Sequence, residues 1–383
     1  MLREMSRFAD VSVVSLAHDR QEAEMVSEVP FAKHVTALRV TTARNAAKGL
    51  CRLWSDMPLT HSLLDAPGLW GAVGRIVASH PPDVVVAYCS GMARLALHPA
   101  LTRVPFVLDM VDVDSAKWAR LAAASGGLRR WIYQREARTL RAFEIRIVAH
   151  AHTTLVVNER EREVLHDLAP TARVVSMGLG IDLEAFAPFP EPRASSQVVF
   201  SGVMNYAPNV KGVTWFAKEV WPLVRADRSD ARFVIVGTDP ARDVRALAAD
   251  PSIEITGAVP AVQPYLWNAA LAIAPLWMTQ GLQNKVLEAL AAGLPVVVTP
   301  QVSAGLPEQA RHGCVVVSSP AEFAAAVLQL LAATPEQRRH RAESARLDQL
   351  TWSVQLEQLE PILRREVSTR RSDPDSCPTP AMD

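Results

Sequence analysis

The sequence predicts an α/β protein made of two doubly wound domains, each with a parallel sheet covered by helices on both faces. Short, β-rich apolar runs recur between helical segments along most of the chain. Such an alternation is typical of parallel sheets that are buried on both faces. The runs form two series, and a proline-rich stretch over residues 183–196 separates them. A chain of 383 residues is long for one core and suits two domains.

The predicted strands follow these apolar runs in order. The first series comprises residues 11–16, 35–40, 84–88, 105–109 and 154–157. The second comprises residues 198–201, 232–237, 253–256, 271–275, 295–299 and 313–317. We therefore predict domains over residues 1–182 and 197–350, joined by a linker over 183–196. A helix over 351–367 follows, and the polar, proline-containing segment 368–383 is predicted to be disordered.

The chain begins with a helical pattern. Leu2, Met5, Phe8 and Ala9 have helical spacing and precede the first predicted strand. A doubly wound domain ordinarily begins with a strand, which is central in the common order 3-2-1-4-5-6. The first domain is therefore predicted to lack its first strand. We expect either a coding sequence that starts upstream of Met1 or a truncated copy with little activity.

Composition argues against several classes of protein. Basic and acidic side chains balance at 40 each, so no basic excess indicates a nucleic-acid partner. The four cysteines form no CxxC pair, which argues against a metal site or a disulfide framework. No apolar run reaches the roughly 18–20 residues that span a bilayer, and the N-terminus has no signal-peptide core. These features predict a soluble, cytoplasmic protein.

The stretch QGLQNKVLEALAAGLPVVVTP, over residues 280–300, predicts a helix that follows a strand and binds an anion. Asn284 is a good N-cap, Gly293 ends the helix, and Pro295 starts the next strand. A helix N-terminus at the carboxyl end of a parallel strand favours phosphate binding, and Lys285 adds a full positive charge. Glu288, one turn later, suits ribose hydroxyls. The alternative is a solvated Lys–Glu pair on an ordinary surface helix.

The same stretch resembles the donor-binding signature of the retaining glycosyltransferases of family 4, which have the GT-B fold. EALAAGLPVV from Glu288 matches the second half of that signature, whereas Gln280 stands where the family has its first glutamate. NKVLEA resembles a subgroup of sugar transferases associated with exopolysaccharide synthesis and exosortase (PEP-CTERM) systems. VVFSGVMNYAPNVKG, over residues 198–212, resembles the first strand, loop and helix of the family's nucleotide domain.

The resemblance implies two Rossmann-like domains that face each other across a cleft. It implies transfer of a sugar from a UDP- or GDP-sugar to a glycan or lipid-linked acceptor, with retention at the anomeric carbon. It also implies that no metal and no further cofactor is required. The residues that it places at the donor are Gly202, Lys211, Gly281, Asn284, Lys285 and Glu288.

Three aspartates at the end of a strand mark a second candidate region, on the acceptor side. Asp109, Asp112 and Asp114 lie in VLDMVDVDSAKW, where they suit a metal or a general base. The alternative is that Asp112 or Asp114 caps the following helix. By resemblance, Asp112 takes the place of a sugar-contacting histidine and joins Lys285 and Glu288 as a catalytic candidate. CSGMA, over residues 89–93, either lines the same cleft or is an ordinary turn.

A basic segment over residues 127–146 suggests peripheral contact with the inner face of a membrane. Arginines recur along it beside Trp131 and Tyr133, and basic, aromatic helices bind anionic lipid surfaces. The alternative is a solvated helix with internal ion pairs.

Two other functions remain open beside sugar transfer. One is a sugar-nucleotide epimerase of similar fold, which would turn over the donor without an acceptor. The other is a catalytically silent, nucleotide-binding subunit that supports a partner enzyme. The substitution at Gln280 and the abrupt N-terminus favour the silent subunit.

Overall fold

A computed structural model describes residues 1–27, 29–190, 194–278 and 282–372 of the chain. The chain divides into two compact units. The first combines Met1–Gly178 with residues from Leu356 onward, and the second is Leu179–Gln355. The second unit therefore begins just before the predicted linker, and the whole range of that linker falls within it.

The first unit contains two separate parallel sheets. Its strands are β1 Ser12–Ala17, β2 His34–Arg39, β3 Val85–Tyr88, β4 Phe106–Val111, β5 Thr153–Val156 and β6 Val174–Ser176. One sheet pairs β1 with β2, and the other has the order β3-β4-β5-β6. The helices are α1 Leu2–Met5, α2 Arg20–Ser27, α3 Thr42–Cys51, α4 Leu59–Leu63, α5 Leu69–Ser79, α6 Cys89–Ala93, α7 Asp114–Ala123, α8 Gly127–His150 and α9 Glu159–Leu168.

The division into two sheets is the arrangement expected of a doubly wound sheet without its first strand. In the order 3-2-1-4-5-6, removal of the central first strand leaves one pair of strands and one separate group. Within the described part of the first unit, β1 is bonded only to β2 and β3 only to β4. Val14, Leu16 and Val85 nevertheless pack against one apolar cluster, so β1 and β3 share part of their core.

The second unit has one continuous parallel sheet. Its strands are β7 Gln197–Ser201, β8 Arg232–Val236, β9 Ile253–Gly257, β10 Leu271–Ala274, β11 Val296–Val298 and β12 Cys314–Val316. They lie in the order β12-β11-β10-β7-β8-β9, which is the doubly wound order 3-2-1-4-5-6 read from the other edge. The four central strands, β7, β8, β10 and β11, are almost entirely buried, as expected of a sheet covered on both faces, whereas the edge strands β9 and β12 are partly exposed.

Helices follow most strands of the second unit. They are α10 Ala207–Trp215, α11 Trp221–Asp227, α12 Arg242–Arg245, α13 Gln263–Trp267, α14 Asn284–Ala291, α15 Pro300–Ala304, α16 Glu308–Arg311, α17 Pro320–Ala332, α18 Pro335–Glu343 and α19 Trp352–Gln355. A π-helical turn, Phe216–Val220, joins α10 to α11. Phe216, Trp221, Phe233 and Phe323 form an aromatic cluster in the core.

The C-terminal helix α20, Leu359–Ser372, belongs to the first unit. Glu366 accepts hydrogen bonds there from Thr153 Oγ1 at 2.9 Å and Arg173 Nη1 at 3.2 Å. The predicted disorder from residue 368 is wrong for 368–372, because the helix continues to Ser372 on this packed face. Residues 373–383 lie outside the described part of the chain.

All eleven predicted strands are present, and one observed strand was not predicted. β6 has three residues, is half-buried and lies at an edge of its sheet. Its apolar run is too short to distinguish it from the approach to the linker.

Within the described ranges, no helix is long and apolar enough to cross a membrane.

Candidate functional site

The candidate donor site lies at the point of the second unit's sheet where the strand order reverses. From β7 the chain continues to β8 and β9 on one side, and β10 then pairs with the other side of β7. Open α/β sheets bind ligands at such a reversal, beyond the carboxyl ends of the strands. The loop after β7 and the loop that leads from β10 to α14 both start there.

Lys285 brings the positive charge of α14 to this point. Its ammonium group donates a hydrogen bond to Asn209 Oδ1 at 2.8 Å and lies 4.1 Å from the centre of the Phe200 ring. Burial lowers the pKa of Lys285 to about 7, and the nearby charge of Glu288 partly opposes that shift. The side chain bonds to another helix rather than to Glu288, so this arrangement differs from the surface ion pair considered as the alternative.

Gly202 allows the loop after β7 to approach the lysine closely. Its φ is +156°, and a Cβ there would lie 2.7 Å from Lys285 Nζ and 2.8 Å from Asn209 Nδ2. A Cβ on Gly237, in the loop after β8, would lie 1.7 Å from the Gly202 carbonyl oxygen. Both positions therefore require glycine, because the backbones of two loops and the lysine side chain share one small space.

Asn209 is a site residue that the sequence analysis missed. It is 6% exposed, lies in the first turn of α10 and donates from Nδ2 to the Val203 carbonyl at 2.9 Å. Its amide group thus holds the loop after β7 with one atom and the lysine with the other. The motif APNVK was visible, but an asparagine in a first helical turn is usually a capping residue.

The start of α14 agrees with the predicted position, but its cap does not. Asn284 is the first helical residue, and Gln283 occupies the N-cap position without a side-chain capping bond. Asn284 is exposed. The helix ends as predicted at Gly293, whose N–H bonds to the Leu290 carbonyl while that of Leu294 bonds to the Ala289 carbonyl.

The other predicted donor residues are distributed as follows. Glu288 is half-buried one turn after Lys285, and burial raises its pKa while Lys285 opposes the shift. Lys211 is exposed on α10, with Nζ 3.6 Å from Sδ of Met278, outside the cluster of Gly202, Asn209 and Lys285. Gly281 and Gln280 lie outside the described residues.

In the first unit, the carboxyl ends of β3 and β4 carry two strained residues. Cys89 has φ +62° and Val111 has φ +63°. Positive φ is a genuine outlier for a β-branched residue, and such strain concentrates at functional sites. Asp112 directly follows Val111 and is exposed. Its pKa is raised, because the surrounding protein desolvates it and Glu161 and Asp114 add negative charge.

Neither aspartate considered as a cap for α7 has that role. The N-cap is Val113, and its N–H donates to Glu161 Oε2 at 2.9 Å. The N–H of Ser115 donates to Glu144 Oε1, also at 2.9 Å. Two buried glutamates from other helices therefore satisfy this helix N-terminus, and Asp112 is left exposed. The sequence could not reveal these contacts, because the partners are 48 and 29 residues away.

Asp114 instead connects the two predicted acceptor segments. Its carboxylate accepts a hydrogen bond from Ser90 Oγ of the CSGMA segment.

The carboxyl groups near Asp114 are buried. Burial raises the pKa of Asp109 to about 6 and that of Glu144 to about 7. Among the residues whose positions are given, no group of three or more His, Cys, Asp or Glu side chains could hold a metal ion.

Comparison with protein-family models identifies both parts of the chain. Residues 1–180 match the model described as a glycosyl transferase 4-like domain, and residues 195–333 match the model described as glycosyl transferases group 1. A search of curated protein sequences gives no significant match.

Comparison with solved structures supports the fold. Sucrose-phosphate synthase from Thermosynechococcus elongatus is 15% identical with a TM-score of 0.64, and the alignment covers 95% of this chain and 97% of that one. Anabaena HepE, in complex with UDP, is 11% identical with a TM-score of 0.62 and coverages of 95% and 94%. TarM is 12% identical with a TM-score of 0.57 over 77% of this chain, which spans 58% of TarM's length.

The matches to the two family models cover the strands of both units. The chain is therefore a glycosyltransferase of the GT-B type, composed of a glycosyl transferase 4-like domain followed by a group 1 domain.

Proposed function

We propose that the protein transfers a sugar from a nucleotide-sugar donor to a glycan or lipid-linked acceptor. The observation that carries this proposal is the position of Lys285. A half-buried lysine in the first turn of α14 lies against the Gly202 loop at the switch point of a parallel sheet. A positive charge beside a helix N-terminus and a close-approaching glycine loop suits a diphosphate.

The chemistry assigned to the second unit is stabilisation of the leaving group. Lys285 and the free N–H groups of α14 would offset the negative charge that develops on the nucleoside diphosphate as the glycosidic bond breaks. Glu288 would accept hydrogen bonds from ribose hydroxyls. The UDP bound to HepE favours a uridine nucleotide over a guanosine one.

The chemistry assigned to the first unit is contact with the sugar or the acceptor through Asp112. The supporting observations are its exposure, its raised pKa and its place after a strained residue at a strand end. Retention at the anomeric carbon, a role in exopolysaccharide synthesis and a cytoplasmic location remain proposals. Retention rests on the resemblance of EALAAGLPVV to the family 4 signature. The role in exopolysaccharide synthesis rests on NKVLEA and the segment around Asp112, and the cytoplasmic location on composition.

The test is a thermal-shift screen of nucleotide sugars followed by calorimetry. A ligand at about 100 times its dissociation constant should stabilise the protein by about 2.7 kcal/mol. UDP-sugars are expected to raise the melting temperature, and inorganic phosphate is not. Absence of a shift with every nucleotide sugar and nucleoside diphosphate would refute the proposal.

Two incubations separate the alternative functions. An epimerase would convert the sugar nucleotide without an acceptor, whereas a transferase should leave the sugar nucleotide's configuration unchanged. A silent subunit would bind nucleotide but release no nucleoside diphosphate with any acceptor fraction. The altered position Gln280 keeps this second alternative relevant.

A further inference from the structure

The first unit has an exposed aromatic and basic face that the sugar-transfer proposal does not use. It consists of Trp54, Leu128, Arg129, Arg130 and Trp131, and we call it the Trp54 face. We propose that the Trp54 face docks the protein on an anionic phospholipid bilayer.

The apolar members of this face are unusually exposed. Trp54 is 87% exposed and Leu128 is 72% exposed. The rings of Trp54 and Trp131 are tilted against each other with centroids 5.7 Å apart. Leu128 and Trp131 are three residues apart on α8 and share one side of that helix. A paired, solvent-facing tryptophan cluster of this kind indicates a surface that becomes covered on binding.

The loop that carries Trp54 is held rigidly on α8. The buried Arg135 guanidinium donates to the carbonyl groups of Arg52, Leu53, Ser55 and Met57. Just beyond them, Glu136 accepts from the N–H groups of Leu59 and Thr60, each at 2.8 Å. These bonds hold the backbone of the loop that presents Trp54 to solvent.

The charge around the face complements anionic lipid. Residues 52–57 and 127–138 together contain five arginines and two acidic residues. Glu136 is buried beside Arg135, and Asp56 pairs with Arg138 at 3.3 Å. Arg129 and Arg130, on the first turn of α8, are exposed. Each arginine near an anionic bilayer strengthens binding by roughly fivefold.

A bilayer fits this combination better than a protein partner. Tryptophan is enriched at membrane–water interfaces, where one side of the ring meets acyl chains and the other meets headgroups. Basic helices with exposed aromatic and leucine side chains lie in that interface plane. Of the membrane contact predicted over residues 127–146, the proposal keeps only the start of α8. It adds Trp54, which lies in a loop more than 70 residues earlier in the chain.

The test measures sedimentation of the full chain with vesicles, without any assay of sugar transfer. Mixed phosphatidylcholine–phosphatidylglycerol vesicles should bind the protein, and phosphatidylcholine vesicles should bind it far less. Binding should be lost near 1 M salt, where the Debye length is about 3 Å. Arg129→Glu with Arg130→Glu should weaken binding by tenfold or more, on the order expected for two arginines. Trp54→Ala should weaken it severalfold at every salt concentration at which the unchanged protein still binds.

Matched variants control for exposure and for net charge. Trp70→Ala removes a different exposed tryptophan of the same unit, and Arg160→Glu with Arg242→Glu makes the same change in net charge elsewhere. Both should bind vesicles as the unchanged protein does. Circular dichroism should show equal melting temperatures for all variants. Equal binding by the Trp54-face variants and their controls would overturn the proposal, and so would failure of the unchanged protein to bind anionic vesicles.

Discussion

Among single residues, Lys285 shows how the fold sets the charge available to a ligand. Its ammonium group lies between the Phe200 ring and the amide of Asn209, and burial there lowers its pKa. With a pKa of about 7, the lysine is partly neutral in the free protein at neutral pH. A bound diphosphate would favour its charged form, so binding and protonation are linked.

We predict that nucleoside diphosphates bind less tightly as the pH rises above 7. The free protein loses the Lys285 proton above its pKa of about 7, and binding must then restore it. The affinity should fall by up to about tenfold per pH unit between about pH 7 and pH 9. Calorimetry across this range provides the measurement. Lys285→Arg should remove the pH dependence, and the bare nucleoside should show none in either protein. A pH-independent affinity in the unchanged protein would show that Lys285 does not contact the anion.

We also predict that Glu288→Ala weakens nucleotide binding far more than Glu219→Ala. The first variant removes the proposed ribose acceptor, at a cost of roughly 1.5–3 kcal/mol for a charge-assisted hydrogen bond. Glu219 is exposed on the π-helical turn after α10 and serves as the matched control. If calorimetry gives equal affinities for both variants, Glu288 does not belong to the site.

The sequence could predict that Lys285 and Glu288 lie on a helix after a strand, because both belong to one short segment whose pattern is informative. It could not predict Asn209, whose bond to Lys285 joins residues 76 positions apart. The cap of α14 was assigned wrongly for a related reason. Asparagine favours the N-cap position, but here the turn before the helix places Gln283 there instead.

At the scale of elements, α7 is a helix whose start is stabilised from outside. Glu161 accepts from the N–H of its N-cap, Val113, and Glu144 from the N–H of Ser115 in its first turn, and both glutamates are buried. Capping propensity in the sequence pointed to the helix's own aspartates, yet tertiary contacts supply the acceptors. This leaves Asp112 exposed, at the point where the backbone is strained.

We predict opposite outcomes for Asp112→Asn and Glu161→Gln. Asp112→Asn should reduce transfer while nucleotide affinity and melting temperature stay unchanged. Glu161→Gln keeps one acceptor oxygen but loses the charge, and should lower stability by roughly 1–3 kcal/mol. Chemical denaturation and a nucleoside diphosphate release assay distinguish the two. Early melting of Asp112→Asn with normal specific activity would assign Asp112 a structural role.

For the whole molecule, the two units differ in the continuity of their sheets. In the second unit, six strands form one continuous sheet. In the first unit, β1 and β3 each have one edge that pairs with no other strand among the described residues. Apolar periodicity predicted all six described strands of the second unit and five of the six described strands of the first, missing β6. The apolar pattern could not predict that α20 packs against the first unit. Such a pattern shows which face of a helix is buried, but it does not show which part of the chain covers that face.

We predict that Glu366→Ala loosens the first unit only. Glu366 is 5% exposed, and its carboxylate accepts hydrogen bonds from Thr153 and Arg173. Loss of these bonds should lower the free energy of unfolding by roughly 1–3 kcal/mol. Hydrogen exchange should accelerate in β5 and stay unchanged in β8. Glu360→Ala, which removes only an exposed pair with Arg364, should change exchange in neither strand. Equal acceleration in β5 and β8 would mean that the units unfold together.

The return of α20 has a consequence for biosynthesis. The ribosome delivers the chain from the N-terminus, so strands β1–β6 emerge long before the helix that covers Thr153 and Arg173. The second unit, Leu179–Gln355, is continuous and can complete its core while α20 is still being synthesised. The nascent first unit must therefore wait with part of its surface uncovered, and chaperone protection should be needed most during that interval.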